Sequence, residues 1–169
     1  MKNNFLLIVS VCFSVMIAGL CGGCSRGALD SSILNDNAAA LIDKDFYDSN
    51  RIMGTYDAEH SAFEEGDYPD SRTLLINTQA QYDAVFASTA GIDIDFQSEM
   101  IVVYSFVATN TREITIQKVS VLEDAVKIEL KVAKAENGIK DTSMPYQRYV
   151  VMKLSKTDRK EAVVVLSKS

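Results

Sequence analysis

The chain has 169 residues, the length of one domain rather than two, and 47% of them are hydrophobic against 24% charged. Those proportions exclude collagenous, low-complexity and wholly disordered chains, and a formal charge of −6 argues against a general nucleic-acid binder, which needs a basic surface. The three Cys all fall at or before Cys24, so neither a disulfide scaffold nor a cysteine-ligated zinc site is available to the rest of the chain.

Residues 1–23 read as an export signal. Lys2 precedes an apolar run from Phe5 to Leu20. At about 1.5 Å per residue that run spans roughly 24 Å, short for a membrane-crossing helix. Small residues follow, with Gly22 and Gly23 directly before Cys24, as at a cleavage site. A Cys after small residues at the end of such a signal resembles the lipobox of bacterial lipoproteins, in which the Cys is lipidated and becomes the first mature residue. The resemblance implies lipidation at Cys24, with Cys21, preceded by the bulkier Leu20, as the alternative. The chain is then expected outside the cytoplasm, held to a membrane by lipid rather than by a spanning helix, since more than one buried acyl chain makes a stable anchor.

Residues 24–45, with Ser31, Ser32, Asn35, Asp36 and Asn37, read as a polar linker containing a short helical possibility from Ala38 to Ile42. A single domain is expected over 46–169. Tyr56 to Asp70 carries Asp57, Glu59, Glu64, Glu65, Asp67 and Asp70 with no Lys or Arg; outside it the remaining 17 acids balance 17 bases, so this stretch accounts for the whole net charge. Gly66 and Tyr68-Pro69 mark turns, and the stretch reads as an exposed acidic loop.

Arg72 to Ile76 is a predicted strand. Thr78 and Gln81 stand at capping-box spacing, and Tyr82, Val85 and Phe86 share one face of a helix expected over 79–87, with Gly91 ending it. Met100 to Val107 is almost continuously apolar, the pattern of a central strand buried on both faces. Ile114 and Ile116 alternate with polar neighbours, then Val119 and Val121 resume one step out of phase, which predicts a bulge or a bend between them. Val126, Ile128, Leu130 and Val132 alternate with charged residues as a half-buried strand after a Glu123-Asp124 turn. A polar loop over 136–145, with Asn137-Gly138 as its turn, leads to strands over 148–154 and 162–166. Short connections favour antiparallel pairing. The expected fold is α+β: one helix with a strongly bent antiparallel β-sheet, barrel- or sandwich-like.

Chemistry finds little support. His60 is the single His and sits in the acidic loop without a nucleophile elbow or a third catalytic partner. The carboxylates over 57–70 are the oxygen type that Ca²⁺ takes, but they lack EF-hand spacing. Asp93 and Asp95 before the central strand form an acid pair that serves equally as turn residues. No P-loop, dinucleotide fingerprint or CxxC pair follows the signal. The chain is read as non-enzymatic, with no metal and no cofactor. Charge is uneven along it: residues 24–111 hold 15 acids against four bases, and residues 112–169 hold 12 bases against 8 acids.

Met144-Pro145-Tyr146-Gln147-Arg148-Tyr149 gathers residue types favoured at interfaces. Taken with FQSEMIVVYSFV, a polar turn, REITIQKVSVLEDAVKIELKV and the strand RYVVMKL, residues 96–154 resemble the C-terminal domain of the PrcB-like protease-complex subunits. Where that family carries a Gly-rich turn running into a Tyr, this chain has Ala108 to Glu113 with neither. Members are small β-rich domains on secreted and lipid-anchored bacterial proteins, some associated with an envelope protease. The resemblance implies a non-catalytic protein-binding or accessory module, with an envelope protease or another surface protein as partner. The partner-binding residues expected are Thr109, Asn110 and Arg112 on the turn and Met144, Pro145, Tyr146 and Arg148 at the later loop. The alternative is a small-ligand or Ca²⁺-binding lipoprotein that uses the acidic loop 57–70.

Overall fold

The computed structural model describes residues 29–50, 71–134 and 146–168. It is β-rich, with 51% strand and 13% helix, and its two sheets do not close into a barrel.

The first sheet has the order β1 (Ser31–Asn35), β6 (Tyr146–Ser155), β3 (Glu99–Ala108), β2 (Arg72–Ile76), with every pair antiparallel. The second has the order β4 (Ile114–Val121), β5 (Ala125–Val132), β7 (Glu161–Lys168). β3 is apolar on both faces because both are covered. Met100, Val102, Tyr104 and Phe106 join Val150, Met152 and Leu154 of β6 and Val126, Ile128 and Leu130 of β5 in one core between the sheets. Ile101 and Val103 point the other way, where Tyr149 and Val151 meet Ile42, Tyr82, Val85 and Phe86 in a second core under the helical layer. Two-sided burial removes the alternation that a one-sided strand shows.

The β4 irregularity falls between Ile116 and Lys118, where the phase shift predicts it. Gln117 is the extra residue, so Ile116 opposite Leu130 and Val119 opposite Ile128 both reach the core despite odd spacing. Thr78 caps helix α2 (Gln79–Asp83) by accepting from the Gln81 amide at 3.3 Å, and Gln81 Oε1 reaches back to the Asn77 amide at 2.8 Å.

Four expectations are corrected. The stretch 24–45 is not all linker: β1 pairs with β6, and Ala38–Ala40 forms a 3₁₀ turn whose Ala38 is buried. Helix α1 (Lys44–Asn50) joins α2, so the fold does not have one helix. Helix α2 stops at Asp83 rather than continuing to Ala87. Beyond it Ala84 and Val85 turn, and the chain exchanges Asp43 N to Val85 O and Ala87 N to Leu41 O, so Phe86 bridges Ile42. Gly91, with φ at +64°, lies in the following loop rather than at the helix end. Last, pairing is not all antiparallel: β7 leaves β6, changes sheet and runs parallel to β5. Parallel neighbours need a long crossover, and here β6 is that crossover, running back in the opposite sheet so that β7 resumes the β5 direction.

The strands define two poles. At one lie the start of β1, the start of β3, the Leu122–Asp124 hairpin and the β6–β7 connection. They are tied by Ser155 N to Asp30 O, Lys156 N to Ser98 O and Arg159 Nε to Leu122 O, each 2.8 to 2.9 Å. At the other lie the end of β3, the 109–113 turn and the start of β6. Ten-residue β3 at about 3.3 Å per residue separates the poles by roughly 30 Å.

Candidate functional site

The pole away from the β1 start gathers part of the expected partner-binding set. Ala108 pairs with Tyr146, which brings the 109–113 turn beside the first residue of β6. Asn110 organises the junction. Its carbonyl accepts from Tyr146 Oη at 2.5 Å, and its side-chain Oδ1 accepts from the Arg112 amide at 3.3 Å, an Asx turn. Burial pushes the Tyr146 phenol above its ordinary pKa, so it stays protonated and keeps donating. Thr109, Asn110, Arg112 and Tyr146 are all half-buried, leaving part of each side chain at the surface of this pole.

Arg148 does not belong with them. It is 3% exposed, its Nε donates to Asp36 O at 2.9 Å and its Nη2 to Asp36 Oδ2 at 3.0 Å. The register sets it opposite Phe106, whose ring is part of the core between the sheets. A guanidinium removed from water requires a charged partner, and Asp36 at the end of β1 supplies it. Arg148 is therefore a tie between β6 and the β1 turn, and its place in a partner-binding surface is corrected. Met144, Pro145, Cys24, His60 and the acidic loop 57–70 lie outside the described residues.

Asp93 and Asp95 are both exposed. Asp95 Oδ2 accepts from Ser98 Oγ at 2.7 Å and Oδ1 from the Gln97 amide at 3.0 Å. These bonds, the Ser98 one foremost, hold its carboxyl below the ordinary range, whereas a general acid requires it raised. Asp95 acts as a turn cap. Among the described residues no three His, Cys, Asp or Glu side chains group to hold a metal ion. None of the described helices is long and apolar enough to cross a membrane.

The uneven charge is partly preserved in space. The second sheet is built wholly from residues after 112, whereas basic β6 is inserted between acidic-half strands β1 and β3.

Sequence reasoning missed a cavity of about 340 Å³ on the outer face of the first sheet, lined by Phe46, Arg72, Thr73, Leu74, Val103, Ser105 and Tyr149. No motif announces it, because its residues come from α1, β2, β3 and β6 and meet only through the strand register.

No family model, curated protein or solved structure matches this chain.

Proposed function

We propose that the chain is a lipid-anchored extracytoplasmic binding module, non-catalytic, that presents the pole formed by Thr109, Asn110, Arg112 and Tyr146 to a protein of the cell envelope, an envelope protease being the partner class that the PrcB-like resemblance implies. One observation carries the reading: the half-exposed turn fastened to Tyr146 stands at the pole opposite the one where the chain enters β1. Five residue steps separate Cys24 from Leu29, a reach of at most about 18 Å. A lipid at Cys24 would hold the entry pole near the membrane and direct the other pole outward.

The test is a crosslinked pull-down from whole cells with the tagged native lipoprotein, beside a Thr109→Ala/Arg112→Ala double variant. A single dominant envelope partner that the double variant loses is the expected result. Equal capture by both proteins would remove the assignment of this pole. In the same cells Cys24→Ser should release the chain from the membrane fraction, whereas Cys21→Ser should not.

A further inference from the structure

The cavity beneath α1 is far from featureless. The register sets Arg72, Ser105 and Tyr149 side by side across β2, β3 and β6, with Leu74, Val103 and Val151 in the next row on the same face. Directly opposed residues share a face of the sheet, so these two rows form a floor, and Phe46 of α1 stands against it. Tyr149 is held in place, its ring 5.5 Å from that of Tyr47 and its hydroxyl donating to Tyr47 O at 3.5 Å. Phe46, Leu74 and Val103 give the cavity apolar walls.

Ser105 is buried, and its Oγ accepts from Gln147 Nε2 at 2.8 Å, which leaves the Ser105 proton uncommitted to any acceptor among the described residues. Arg72 lies at the exposed rim and makes neither an ion pair nor a side-chain hydrogen bond with the described residues. Among the described residues no Asp or Glu lines the space. The volume of about 340 Å³ falls within the roughly 300–1,000 Å³ of small-molecule sites, which combine apolar walls with a few placed polar groups.

We propose that this cavity binds an amphipathic organic anion, a monocarboxylate whose aromatic or aliphatic body packs on Phe46, Leu74 and Val103 while its carboxylate meets the Arg72 guanidinium and the Ser105 hydroxyl. The planar guanidinium matches a carboxylate with two parallel hydrogen bonds. A cationic ligand would face Arg72 with no compensating acid among the described residues, and a neutral one would forgo the ion pair. The site lies on the helical side of the first sheet and uses none of the pole residues, so it stands or falls independently of the protein-binding reading.

The probes are 2-naphthoate and its neutral counterpart 2-naphthamide, titrated by calorimetry into the membrane-reconstituted full chain. Saturable one-to-one binding of naphthoate, about ten-fold tighter than that of the amide, is the expected result. Arg72→Ala, at an exposed position, should bring naphthoate down to the level of the amide and leave the amide unchanged. Leu74→Trp should fill the cavity and abolish both, with circular dichroism confirming the fold. The proposal is overturned if wild type shows no saturable naphthoate binding at millimolar concentration, if acid and amide bind equally, or if Arg72→Ala keeps the preference for the acid.

Discussion

Asp36→Ala removes the carboxylate that faces the Arg148 guanidinium and leaves a cation that is 3% exposed with one remaining bond, from Nε to the Asp36 carbonyl. Taking one partner from a buried pair costs about 3–5 kcal/mol when the other charge stays desolvated. Here the retained carbonyl bond, and water entering where the 43% exposed Asp36 side chain stood, lower the expected cost to about 2–3 kcal/mol. Arg148→Met behaves differently: it removes the charge together with its need for a partner and keeps most of the apolar stem, so about 1 kcal/mol is expected. Once Arg148 is gone, Asp36→Ala should add almost nothing. The double variant should match Arg148→Met, a coupling of about 2–3 kcal/mol in a double-mutant cycle. Urea unfolding of the detergent-solubilised full chain, followed by circular dichroism, measures all four species. Costs that add within about 0.5 kcal/mol, or Asp36→Ala proving milder than Arg148→Met, would refute the account of Arg148 as a buried tie.

Acid should loosen the entry pole. Lys153 Nζ lies 2.7 Å from Glu99 Oε1, and this contact, with the Asp95 amide on Oε2, holds the Glu99 carboxyl below its ordinary pKa, as the Ser98 hydroxyl does for Asp95. A depressed folded pKa gives stability that is complete above the unfolded value, near about 4.3 for Glu, and lost as pH falls through the folded one. The urea midpoint should therefore drop below about pH 4.3, and Glu99→Gln should flatten part of that drop; parallel profiles would contradict it. Deleting Gln117 should be tolerated, because removing the extra residue leaves Ile116 and Val119 facing inward in a regular ladder. Deleting Thr115 should instead turn Ile114 out of the core, at a cost of about 2 kcal/mol or more for that side chain alone. Melting temperatures of the two deletions decide the matter, and equal losses would count against the bulge assignment.

How far the fold could be read from the sequence depended on whether a residue's neighbours lay nearby along the chain. β5 was legible because one face packs and the other does not, so its charges alternate with its aliphatics. The β4 bulge was legible because a change of phase along one strand is a local signal. β1 was not. Its Ile33 packs into the core between the sheets and the adjacent Leu34 into the core beneath the helices, so its two apolar residues show no period and its Ser and Asn residues read as linker. The partner of β7 was equally hidden, since it is chosen by a strand in the other sheet.

The candidate site divides in the same way. The 109–113 turn and Tyr146 flank the ends of two strands that pair along their whole length, and their adjacency follows from that pairing. Arg148 beside two Tyr looked like an interface residue, but it lies within a strand buried over most of its length, and the Asp36 that neutralises it stands 112 residues earlier. An Arg embedded in such a strand was a sign of a buried pair; nothing local named the partner.

The most direct test of the central claim places a photo-activatable amino acid at Thr109 on the outward pole, and separately at Asp124 on the entry pole, in the native lipoprotein in whole cells. The account predicts one covalent adduct with an envelope protein from position 109 and none from position 124. An adduct from 124 alone, or none from either position, would contradict it.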